Sequence, residues 1–182
     1  MSRRLILAAG AAAVALTALV FAPPSQAAPR GAECNLGGTA TISPGLTATA
    51  KTQKVTLKVN LTNCHMGSSG SPGVPKTFTG AVTTAPNPVT SKGSCSNGKF
   101  NIQTSIRWST GTVTNAAITV NTLTADALIH GNVTSSTDPN IKAKDLVAGS
   151  AAFRPSNPAQ NCASKPVTSV VVNGVVGLGS PK

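Results

Sequence analysis

The run Lys99-Phe100-Asn101-Ile102-Gln103-Thr104-Ser105-Ile106-Arg107-Trp108 decides the fold class of this chain. Phe100, Ile102, Thr104, Ile106 and Trp108 alternate with Lys99, Asn101, Gln103, Ser105 and Arg107. A period of two puts the first set on one side of an extended backbone and the second set on the other. One side is mostly apolar and the other wholly polar, which marks a half-buried β-strand with Phe100 and Trp108 facing inward. Ser109, Thr110 and Gly111 follow as a turn, and Thr112 to Val120 continues in β-favouring residues. The pair reads as a hairpin.

Outward from this hairpin the same grammar recurs. In Lys54 to Asn63, Val55, Leu57, Val59 and Leu61 alternate with Lys54, Thr56, Lys58 and Asn60. Thr39 to Ile42 and Leu46 to Ala50 flank Ser43-Pro44-Gly45, where Pro followed by Gly suits a type II turn. Thr77 to Thr84 is a shorter strand between two segments rich in Gly, Pro, Ser and Asn, Gly67 to Pro75 and Ala85 to Gly98, which read as loops. Residues 125 to 133 fit a strand through Ala127, Ile129 and Val133. They also fit a helical turn capped by Thr124 and stopped at Gly131. Ile141 to Ala148 is a further strand candidate, and Arg154 to Pro166 is a loop with three prolines and Cys162. Val167 to Val176 is either one strand with a bulge at Asn173-Gly174 or a tight hairpin. Short strands at spacings of about ten residues, with turn signals between them, predict an all-β single domain, a β-sandwich or a barrel-like Greek-key domain. Its core spans roughly residues 33 to 178.

The first 27 residues stand apart. Arg3 and Arg4 precede an apolar run from Leu5 to Phe21, and Pro23-Pro24-Ser25-Gln26-Ala27 ends it with a break and small residues. That is the pattern of a secretory signal peptide, with Ala28 as the expected mature start. The run is about 17 residues, at the short end for a membrane span. Nothing downstream is long and apolar enough to anchor the chain, so the mature protein is not expected to be an integral membrane protein. The expected location is extracellular, in the medium or associated with the cell wall. Removing the leader leaves about 155 residues, enough for one domain with a core. It removes two arginines and no acid, so the net charge falls from +11 to +9.

Cys34, Cys64, Cys95 and Cys162 form an even set, which in an exported chain reads as two disulfides. Three connectivities are possible, and the sequential one, Cys34–Cys64 with Cys95–Cys162, makes the shortest loops. There is no CxxC pair and the two histidines, His65 and His130, are isolated, so no metal ligand set is predicted.

The runs Gly38-Thr39-Ala40-Thr41, Ser43-Pro44-Gly45-Leu46-Thr47, Leu61-Thr62-Asn63-Cys64 and Ile106-Arg107-Trp108-Ser109-Thr110-Gly111 resemble those of small secreted all-β proteins of actinobacteria. The resemblance spans most of the mature chain. It implies a source and a fold class and brings no activity, cofactor or site residue with it.

Catalysis needs groups that titrate or attack, and they are scarce here. Glu33, Asp126, Asp138 and Asp145 are the only acids. Asp138 sits in the turn sequence Ser-Ser-Thr-Asp-Pro-Asn, and Asp145 next to Lys144 reads as a solvated charge. Asp126 and His130 lie about 13 Å apart if their segment is a strand, too far for a hydrogen bond. No Gly-x-Ser-x-Gly elbow is present. No catalytic, cofactor or metal residue is therefore assigned, and a small hydrolase is a remote alternative.

The basic balance is the signal that rises above background. Lys54 and Lys58 share the polar face of one strand, and Lys99 and Arg107 share that of another, with Lys51, Lys142 and Lys144 adding charge. If the two strands lie in one sheet, these four residues form a candidate anion-contact face for an envelope polymer. Sequence-specific nucleic-acid recognition is not expected, because stacking needs exposed aromatics and Trp108 and Phe100 face inward. The alternative is an inhibitor or toxin-like effector that grips another secreted protein through the Gly67 to Pro75 loop.

Overall fold

The computed structural model describes residues 30–66, 77–86, 89–123 and 126–180. The expected leader and cleavage site, and the Gly67 to Pro75 segment read as a loop, lie outside the described residues. Nine strands follow in order: β1 (Arg30–Leu46), β2 (Lys51–Met66), β3 (Phe78–Thr84), β4 (Thr90–Gly93), β5 (Asn97–Trp108), β6 (Val113–Leu123), β7 (Asp126–Ser136), β8 (Leu146–Pro155) and β9 (Val167–Ser180). Every pairing is antiparallel, and β1 pairs with β9 on one edge and β2 on the other. The sheet therefore closes on itself.

β3 and β4 share one position in the wall. β3 pairs with the second half of β2, from Lys58 to Cys64, and β4 with its beginning, Lys51 to Lys54; both pair with β5. The chain leaves the wall between them, and there the Leu57 amide donates to the Thr84 hydroxyl instead, at 2.6 Å. Counting this interrupted strand once, the barrel has eight positions, and each is filled by the next strand in sequence. The all-β, barrel-like expectation holds, and the sandwich and Greek-key alternatives do not: the connectivity is a simple meander, and closure through β1 and β9 leaves no second sheet to pack against.

Other expectations change in detail. Residues 126 to 136 are strand, not helix. The Val-rich end is one strand, with no reversal at Asn173-Gly174. A Cβ on Gly174 would stand 2.1 Å from the Ser150 carbonyl oxygen of β8, so only glycine permits that approach of the two strands. Ser43-Pro44-Gly45 does not reverse the chain. The Ser43–Pro44 peptide is cis, Gly45 has φ +112°, and β1 bends there while its register against β9 shifts between Thr41 and Leu46. The reversal comes after Leu46, in residues 47–50. β8 begins at Leu146 rather than Ile141, and runs through Arg154 to Pro155 before its loop starts.

The strand alternation sends one side chain in two into the barrel. β1 and its meander partners run between two ends, each with its own apolar cluster. At the tryptophan end lie Trp108, Phe78, Leu61, Val133, Ile141 and Leu178, with the Cys34–Cys64 disulfide joining β1 to β2. At the other end lie Phe100, Ile42, Val55, Val120, Val167 and Val170. Here the Cys95–Cys162 disulfide ties the β4–β5 turn to the β8–β9 loop, across the mouth of the barrel. Both bridges follow the sequential connectivity. Two disulfides suit an oxidising compartment.

Trp108 and Phe100 both sit on glycine. A Cβ on Gly80 would meet the Trp108 ring at 2.7 Å, and one on Gly93 would meet the Phe100 ring at 2.4 Å. Phe78 meets Trp108 edge-on, with centroids 5.3 Å apart, and the Trp108 indole donates to Thr114 at 2.9 Å. Thr114 in turn shares a hydrogen bond of 2.8 Å with Ser136. The indole N–H is thus satisfied in a buried position, as a core tryptophan requires.

Candidate functional site

The four cations singled out from the sequence lie on the outside of the barrel, on one side of it. Lys54 and Lys58 project from β2, and Lys99 and Arg107 from β5, all exposed. β2 and β5 are separated only by the β3/β4 position, roughly 10 Å at two strand spacings. The gap is not neutral. Lys92, on β4, is exposed directly opposite Lys99 on β5 and Thr52 on β2, one pleat along from Lys54. Lys51 is exposed at the start of β2, opposite Gly93. Lys58 lies farther along, opposite Thr83 of β3, and Arg107 opposite Ala81.

Lys92 escaped the sequence reading because its strand is only four residues long and sits in a Gly-, Pro-, Ser- and Asn-rich segment read as a loop. Its neighbour Ser91 carries the signal. The Ser91 side chain is buried and bonds the backbone N–H of Asn101 on β5 at 2.8 Å, which fixes the short strand against the wall. With Ser91 pointing inward, strand alternation turns Lys92 outward. Like charges facing each other across a strand pair destabilise it modestly, so the Lys92–Lys99 pair does not stabilise the sheet.

Among the described residues no carboxylate shares this wall. Glu33 is on β1 opposite His65, Asp126 is on β7, and Asp138 and Asp145 are in the loop between β7 and β8. The acids considered for catalysis are dispersed by the same topology. Asp126 and His130 are both exposed on the extended β7. Asp138 serves its turn, accepting from the Asn140 amide at 2.9 Å and the Thr112 hydroxyl at 3.0 Å. Asp145 departs from expectation. It is buried rather than solvated, and its carboxylate accepts from the Lys142 amide at 2.7 Å and from the Ser180 hydroxyl at 3.0 Å. Those two bonds fold the loop over the tryptophan end and place Ile141 in the core. Among the described residues no group of three or more His, Cys, Asp or Glu side chains is arranged to hold a metal, and no helix is long and apolar enough to cross a membrane.

The class that fold and surface define is an eight-position, disulfide-tied, up-and-down β-barrel with a cationic outer wall. Comparison with known proteins finds no matching family model, no similar curated protein and no similar solved structure.

Proposed function

We propose that this is an exported, non-enzymatic binding domain that associates with an anionic polymer of the cell envelope through the wall formed by β2, β4 and β5. The observation that carries the reading is the run of outward cations Lys54, Lys58, Lys92, Lys99 and Arg107 on adjoining strands, on a wall without a carboxylate. A one-signed surface attracts a polyanion over a Debye length and concentrates it against the strands. Extended backbone holds the charges at fixed intervals, so a linear polymer meets several of them at once. The leader and the two disulfides are consistent with delivery to the outside of the cell.

The test uses the mature, oxidised protein and long-chain polyphosphate as the probe, by co-sedimentation across a salt series. Retention at low salt should disappear near about 0.5 M, where the screening length is only a few ångströms. Reversal of three wall charges, Lys54→Glu with Lys92→Glu and Lys99→Glu, should weaken binding at least tenfold. Reversal of Lys142, Lys144 and Lys165, which alters net charge equally from other surfaces, should weaken it far less. Equal losses in the two triple variants would reduce the attraction to net charge and remove the wall as a site.

A further inference from the structure

Along β2 the inward residues should all be equally covered, yet they are not. Val55 and Val59 are buried, while Leu57 between them is only half-buried. The same holds for Leu36 on β1, Ile118 on β6 and Phe153 on β8, which share the inward face of their strands with fully buried neighbours. Inward side chains at mid-strand keep accessible surface only when the space they face is unfilled. Two chambers account for it. One, of about 120 Å³, lies at the Cys95–Cys162 end and is bounded by Ile42, Val55, Phe100, Ile102, Val120 and Val170. The other, of about 60 Å³, lies deeper, against Leu61, Ile106, Val147 and Leu178 of the tryptophan-end cluster, and Leu57, Val120 and Phe153 border both.

Eight-position barrels have interiors that side chains just fill or that hold one small ligand. We infer that this lumen is a binding site for a small neutral apolar molecule, a single aromatic ring or an alkyl chain of about six to ten carbons. The larger chamber approaches the size of engineered cavities that take up benzene. An added chain would reach past Phe153 into the smaller one. Among the described residues no charged side chain borders either chamber. The polar groups bordering the larger one are the Ser94 and Thr122 hydroxyls, and both are committed as donors, to the carbonyl oxygens of Asn97 and Gly98. A ligand that brought a charge inside would lose its hydration with nothing to replace it. Cys95 and Cys162 themselves border the chamber, so their disulfide lies over its entrance.

The site is independent of the cationic wall, which faces the opposite way through the same strands. Its test is methyl-detected NMR of the mature, oxidised protein titrated with toluene and, separately, with benzoate. Toluene should give saturable shifts at the methyls of Val55, Ile102, Val120 and Val170, and leave Val133 at the tryptophan end unmoved. Benzoate, of similar shape but charged, should bind at least tenfold more weakly. Val120→Phe fills the chamber from one wall and Ala40→Leu fills it from another, so one of them serves if the other fails to fold. A folded filling variant should lose toluene binding tenfold or more while keeping its affinity for polyphosphate. The inference is overturned if toluene gives no saturable shifts up to its solubility limit, if benzoate binds equally well, or if a folded filling variant binds toluene as before.

Discussion

The two ends of the barrel share seven of its strands and differ in what fills them. At the tryptophan end, Trp108 lies on Gly80 with Phe78 at its edge. The β7–β8 loop inserts Ile141, only 1% exposed, as a plug. At the other end the β8–β9 loop inserts no comparable side chain, and Cys162 is its contribution to the apolar cluster. That loop is ordered by its own polar bonds instead: Asn161 accepts from the amides of Ala163 and Ser164, and Gln160 exchanges two bonds with Thr168. One loop closes its end by apolar burial and the other by a covalent tie. The tryptophan end is the more completely filled: the smaller chamber reaches Leu61 and Leu178 but not Trp108, Phe78 or Ile141, and the larger chamber lies at the other end.

The largest expected effect separates the ends directly. Trp108→Ala removes a ring buried to 2% exposure and strands the Thr114–Ser136 hydroxyl pair, and should cost about 3–5 kcal/mol. Phe153→Ala removes a ring that already borders the hollow, so it should cost about 2 kcal/mol or less, because fewer packing contacts are lost. Urea denaturation of both variants measures the difference. Equal costs would mean that the region around Phe153 is as tightly packed as the tryptophan end, and the contrast would fail.

A middle-sized effect concerns the plug. Asp145→Ala leaves the Lys142 amide without its acceptor and frees the loop that carries Ile141, with an expected loss of about 1–3 kcal/mol. Amide hydrogen exchange should then speed up in the β7–β8 loop and at the end of β9, where Ser180 loses its partner. Unchanged exchange at Lys142 would show that the loop is held without the carboxylate, by Ile141 and by the backbone bonds of Lys144 and Asp145 with Val133.

How much of this was legible in the sequence follows from what alternation encodes. Lys99 to Trp108 and Lys54 to Asn63 announced their strands and their inward faces, and Trp108 and Phe100 are buried as their parity requires. Alternation says which side faces in; it says nothing of which strand is the neighbour. The turn residues after each strand are compatible with either a meander or a Greek key, so closure by β1 against β9 had no local signature. Lys92 was missed for a related reason, since four residues are too few to show a period. Asp145 was misread because its partners are a backbone amide three residues back and a hydroxyl 35 residues away. The hollow was invisible in principle. Leu57 and Val59 look alike in a pattern of inward positions, and only the radius of the closed barrel decides which of them has a neighbour.

The smallest effect is the sharpest test of that radius, because it turns on sign rather than size. Ala32 is fully buried on β1 at the tryptophan end, and Val170 is buried on β9 where it borders the larger chamber. Adding carbon to a filled interior forces side chains off their rotamers, so Ala32→Val should destabilise by about 1–2 kcal/mol. Val170→Leu adds carbon beside unfilled space, where new dispersion contacts form without displacing old ones. It should be neutral or stabilise by up to about 1 kcal/mol. Thermal unfolding of the two variants resolves the signs. Destabilisation by both would mean that the chamber's walls have no room to accept even one further methylene where Val170 stands, and the hollow end would have to be redrawn as a packed one. Opposite signs would show that one closed sheet, with a uniform alternation along every strand, is filled around Ala32 and hollow around Val170.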